Sequence, residues 1–158
     1  MVLGAGLVIG AGAGCGTEDN RPAEWSFISP VIMAPNCATA SCHSKGAAVS
    51  GLDLSTVDDG YKSLLKLEVR LYPNEKDERE DPDPRPLVTP CRPDQSRIIN
   101  MMKARGAQRM PPDRPMSQSD IALIEQWILD GARKKPSDPD PCKINAVPAP
   151  MAGAGGTP

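Results

Sequence analysis

The residues best equipped for chemistry are Cys37, Cys42 and His43, in the segment NCATASCHS. His43 is the only histidine in the 158-residue chain, and it directly follows a closely spaced cysteine pair. A c-type haem site needs that arrangement: two thiols add across the vinyl groups of the porphyrin, and the histidine beside the second thiol donates a ring nitrogen to the iron. The usual signature has two residues between the cysteines; here Ala38 to Ser41 make a longer loop, which reaches both vinyls by bulging. The same residues also read as a local Cys37–Cys42 disulfide beside a surface histidine. A third reading is a zinc site that recruits Cys91 or Cys142 as its fourth ligand. On spacing alone all three stay open.

An iron bound to His43 needs a second axial ligand or an open face, and Met110 is placed to supply one. It stands in the strap RMPPDRPM, where no helical periodicity explains an apolar residue, and Pro111 and Pro112 stiffen the backbone that presents its sulfur. A His/Met pair raises the reduction potential and suits electron transfer. Met116, at the end of the strap, is the competing ligand. Met101 and Met102 lie in a helical apolar stripe and read as packing.

The elements that must hold these residues are helical. An apolar stretch around Phe27 to Met33 predicts a short helix ending near Pro35. Ser55 or Thr56 can cap a helix running to about Leu67, with Asp58 and Asp59 at its positive end and Tyr61, Leu64 and Leu65 on its apolar face. Residues 68–86 mix carboxylates, basic residues and four prolines, and read as a solvated loop. From Ser96 the pattern is helical again, through Ile98, Ile99, Met101 and Met102, with Gly106 as its stop. Ser117 then caps the best-defined helix, which runs to about Ala132 and sets Ile121, Ile124 and Ile128 beside Leu123 and Trp127. Beyond Pro136 the chain is too rich in Pro, Gly and Ala to offset its ordering entropy, and is expected to be mostly disordered.

Composition narrows the function further. With 18 prolines, 14 glycines and only five aromatic residues, the protein-only core must be thin, and such chains need a disulfide, a metal or a cofactor. A net charge of −2 gives no basic footprint for nucleic acid. The uncharged leader MVLGAGLVIGAGAGC is too short and glycine-rich for a membrane span and reads as the apolar part of a secretory signal. Its small residues run directly into Cys15, so it resembles a bacterial lipoprotein signal, in which that cysteine is lipidated. Export would place the other cysteines where disulfides and haem attachment are permitted.

Taken in order, the segments PVIMAPNCATASCHS, Gly51-Leu52-Asp53-Leu54, Pro90-Cys91-Arg92-Pro93-Asp94-Gln95-Ser96, Met110-Pro111-Pro112 and SDIALIEQWILDGA resemble the small cytochrome c-like domains of bacterial exported proteins. The resemblance covers Phe27 to Ala132. It departs from the usual pattern in the cysteine spacing, in Cys91 at a glycine position and in the charged insertion 68–86. It implies an all-α fold wrapped around one covalently attached haem c, with Cys37 and Cys42 as thioether anchors, His43 as proximal ligand and Met110 as distal ligand. Leu52, Leu54, Ile98, Leu123 and Trp127 are then candidates for the walls of the haem pocket.

Cys91 and Cys142 remain and make a pair in an oxidising compartment, closing a loop whose restriction is worth about 4 kcal/mol in the chain-entropy model. The expected organisation is a leader at 1–15, a linker at 16–24, the domain at 25–135 and a tail at 136–158. The expected function is electron transfer by an exported, membrane-tethered monohaem protein in the periplasm or cell envelope, with a redox partner protein and no separate catalytic residues. Two alternatives accompany it: a haem-free, disulfide-stabilised lipoprotein acting as a binding module, and a haem sensor or peroxidase-like protein with a labile distal ligand.

Overall fold

The computed structural model describes residues 19–66 and 87–144. The leader, Cys15, Leu67, the charged stretch 68–86 and the tail beyond residue 144 lie outside the described residues. Within them the protein is a small, mostly helical domain with no β-strand. Its elements are α1 (Trp25–Ile28), α2 (Ala34–Cys37), α3 (Val57–Lys66), α4 (Arg97–Lys103), α5 (Gln118–Leu129) and α6 (Pro141–Ile144).

The first helical run is longer than its prolines suggest. Between α1 and α2 the chain widens into a π-helical turn, Ser29–Met33, in which Ala34 N–H reaches back to the Ser29 carbonyl, so the run continues past Pro30 and Pro35 to Cys37. Each proline falls in the opening positions of a new segment, where its missing N–H is tolerated. The Asn36 amide donates to the Ile32 carbonyl oxygen at 2.7 Å and adds a side-chain donor to the same run.

The caps follow the expected residues. Thr56 Oγ1 accepts from Asp59 N–H at 3.0 Å and donates to the Asp59 carboxylate at 2.8 Å, opening α3. Ser117 Oγ accepts from Asp120 N–H at 3.0 Å and opens α5. Two helices stop earlier than the sequence predicts. The fourth ends at Lys103, with Ala104 already extended, and Gly106 instead begins a 3-10 turn at Gly106–Gln108. The fifth ends at Leu129 through a Schellman closure: Gly131 N–H donates to the Ile128 carbonyl and Ala132 N–H to that of Trp127, with both Gly131 and Ala132 left-handed.

The core lies where α1, α3, α4 and α5 meet. At its centre Trp25 stacks on Trp127 with ring centroids 4.9 Å apart. Both indole N–H groups are satisfied, by the carbonyls of Val57 and Arg133 respectively, as burial of so large an amphipathic ring requires. Gly60 lets α3 approach, since a Cβ there would stand 3.1 Å from the Trp25 ring.

Part of the segment expected to be disordered is ordered. Cys91 and Cys142 form a disulfide, Arg133 donates to the carbonyls of Asp130 and Pro136, and α6 packs its Pro141 against Gly131. A covalent tie and these hydrogen bonds supply the ordering that apolar burial alone could not. At the other end Arg21 bridges Asp19 and Asp120, fastening the approach to α1 onto the first turn of α5.

Candidate functional site

Residues 37–54 form a loop folded around His43. Its N–H donates to the Cys37 carbonyl at 3.0 Å, its carbonyl accepts from Leu54 N–H at 2.7 Å, and Cys42 N–H turns back onto Thr39. Val49 N–H donates to the Cys42 carbonyl, and left-handed Ala48, Ser50 and Gly51 reverse the chain. The ring of His43 is fixed as well, with Nδ1 3.1 Å from the Val49 carbonyl oxygen. A carbonyl can only accept, so Nδ1 bears the proton and the lone pair of the neutral ring falls to Nε2. Burial holds this imidazole below its ordinary pKa, against the opposing pull of the Val49 and Leu52 backbone.

The loop faces a cleft with two lobes. One lobe, of about 140 Å³, is lined chiefly by apolar side chains: Met33, Leu52, Leu54, Leu87, Ile98, Met101 and Met102. The other, of about 160 Å³, lies against Asn36, Ser41, Cys42, Pro111 and Pro112. Cys37, His43, Val49 and Met110 line both, and so stand where the lobes meet. Each lobe alone is smaller than a usual small-molecule pocket.

Cys37 and Cys42 are free thiols. Burial, and then the neighbouring Cys42, push the Cys37 thiol up to about 12, so it is protonated at neutral pH. Two readings open at the sequence level lose ground here. The local Cys37–Cys42 disulfide is not formed, and among the described residues a zinc site has no cysteine left to recruit as its fourth ligand, because Cys91 and Cys142 are bonded to each other. Among the described residues no three His, Cys, Asp or Glu side chains converge as metal ligands.

The strap carrying Met110 leaves the Gly106–Gln108 turn and begins against α4, Met110 N–H donating to the Met101 carbonyl at 3.0 Å. Arg109 folds the strap on itself, its guanidinium donating to the carbonyls of Pro111 and Pro112. Met116 does not compete for the cleft: it is buried among core residues. Leu123 and Trp127 are likewise core residues rather than cleft walls, because α5 turns that face toward Trp25. Sequence reasoning missed Met33, Val49, Leu87, Met101 and Met102 as lining. The signal for the last two was present, since they follow Ile98 at helical spacing, and the face that reads as core is also the wall of the cleft.

Two thiols on one loop, an imidazole with Nδ1 anchored to a carbonyl, a thioether on the strap and an aliphatic wall thus border one cleft. No protein-family model, curated protein or solved structure matches this chain. No described helix is long and apolar enough to cross a membrane.

Proposed function

We propose that the cleft would hold one covalently attached haem c, with Cys37 and Cys42 as its thioether anchors and His43 and Met110 as the residues that would bind its iron, and that the protein transfers electrons. The observation that carries this reading is the meeting of Cys37, His43 and Met110 on both lobes of one cleft, with Cys42 lining one of them. When bound, the haem supplies a one-electron Fe(III)/Fe(II) couple, with His/Met ligation raising its potential. The chain's own part is positional. The Val49 carbonyl sets the tautomer and orientation of His43, as the hydrogen-bonded partner of a ligating histidine generally does. Leu52, Leu54, Leu87 and Ile98 keep water from one lobe, and the prolines after Met110 stiffen its presentation. The proposal includes export, lipidation at Cys15, a place at the cell envelope and a redox partner protein; these rest on the leader sequence and on the chemistry of an electron carrier.

A second reading has its own observation. The Cys91–Cys142 disulfide and the Trp25–Trp127 core brace the domain without any cofactor, which suits a haem-free exported module that binds a partner. One experiment separates the two. The full-length protein is produced with haem-attachment machinery, and its absorption is recorded oxidised, dithionite-reduced, and as the pyridine complex of the denatured chain. Haem that stays on the denatured chain supports the electron-transfer reading. A colourless protein, folded by circular dichroism, replaces it with the binding module.

A further inference from the structure

We propose that Asn36 and Arg114 are positioning residues that hold the Met110 strap closed over the cleft; this rests on the haem reading above. Arg114 Nη2 donates to Asn36 Oδ1 at 3.1 Å, joining residues 78 positions apart in sequence. Asn36 immediately precedes Cys37, and it lines the same lobe as Pro111 and Pro112. The bond therefore ties the end of α2, where the cysteine loop starts, to the strap that presents Met110.

Asn36 is an oriented acceptor rather than a loose surface amide. Its Nδ2 donates to the Ile32 carbonyl at 2.7 Å, and because that carbonyl can only accept, Oδ1 must point the other way, toward Arg114. The guanidinium makes the bond charge-assisted. Pro111, Pro112 and Pro115 restrict the backbone on both sides of Arg114, so a tie at Arg114 limits how far Met110 can swing. The strap is also held at its beginning, where Met110 N–H donates to the Met101 carbonyl of α4, and at its end, where Met116 is buried in the core. The Asn36–Arg114 bond holds the span between those anchors against the end of α2, and its release loosens the strap around the Met110 side chain.

The test is competition by added imidazole for the sixth position of the ferric protein, followed by absorption, beside the reduction potential. In Arg114→Ala the apparent affinity for imidazole is expected to rise about threefold to tenfold, because less closed strap has to be displaced. The sulfur-to-iron charge-transfer absorption weakens and the potential falls. Arg114→Lys restores part of the effect. Arg105→Ala, which removes the same charge from the exposed segment just before the strap, leaves imidazole affinity unchanged. Asn36→Ala matches Arg114→Ala, and the double variant adds nothing further. Equal imidazole affinity in wild type and Arg114→Ala overturns the proposal while leaving the haem reading intact. A shift of the same size in Arg105→Ala also overturns it, in favour of a general charge effect. A wild-type protein without haem overturns both, and is recognised before any variant is made.

Discussion

Met110 is fastened to α4 by its backbone, its N–H donating to the Met101 carbonyl oxygen at 3.0 Å. That bond brings the two methionines onto one cleft, whereas Met116, further along the same strap, is buried in the core with 7% of its surface exposed. The two strap methionines should respond oppositely to truncation. In the proposed haem protein, Met110→Ala is expected to remove the sulfur-to-iron absorption and lower the potential with little loss of fold. Met116→Ala is expected to leave the ferric spectrum unchanged and to cost about 2–5 kcal/mol in urea unfolding, as core methionine truncations do. A ferric spectrum altered only by Met116→Ala would refute the ligand assignment.

The haem-free chain should be most stable over a window bounded by two site residues. Burial lowers the His43 pKa from its ordinary 6.5, so the unfolded chain binds more protons in that region. The associated stability is fully present above pH 6.5 and is lost as pH falls through the depressed value. Burial raises Cys37 from 9.0 to about 12, so its contribution is present below pH 9 and lost as pH rises through that higher value. Urea midpoints measured across pH should fall on both sides. The acid-side fall is expected to shrink in His43→Gln and the alkaline fall in Cys37→Ser. Unchanged slopes would mean that these groups are not buried in the haem-free protein.

The helical architecture was legible in the sequence because its signals are local. Ser117 and Thr56 cap the helices they precede, and Cys37, Cys42 and His43 are neighbours on one loop. The disulfide was also legible, from two cysteines left without another role. Less legible was whatever depends on where elements pack. Trp127 and Leu123 belong to an apolar helix face, but which neighbour that face meets, Trp25 or the cleft, is decided by the placement of α5. Pro35 read as the end of the first helix because a π-helical turn leaves no residue signature that a 3.6-residue pattern would show. The Asn36–Arg114 bond spans too much sequence for any local rule to pair its partners.

Gly131 closes α5 and receives the returning tail. It has φ +92°, and a Cβ added to it would stand 2.7 Å from Pro141 Cδ. Gly131→Ala therefore incurs both a left-handed conformation and a collision with α6. The expected loss is at least about 1–2 kcal/mol from the backbone alone, seen as a lowered thermal midpoint. Since the cleft lies against α2, α4 and the strap, the haem spectrum is expected to stay as it was. A spectral change without a stability change would contradict the separation of tail and cleft.

Cys91 carries two effects of opposite sign. Its bridge to Cys142 spans 51 positions, and removal is expected to cost about 4 kcal/mol in the chain-entropy model. Its backbone, however, is left-handed at φ +69°, a conformation that favours glycine, with the N–H still donating to the Ile128 carbonyl at 2.8 Å. Comparing two bridge-less proteins isolates the backbone cost. Cys91→Gly with Cys142→Ala should be more stable than Cys91→Ala with Cys142→Ala by about 1 kcal/mol, because only the alanine keeps the steric penalty of the left-handed region. Both should unfold at lower urea than the bridged protein. If the glycine variant is no more stable than the alanine one, the turn relaxes out of the left-handed region once the bridge is gone, and the disulfide is what imposes that conformation on Cys91.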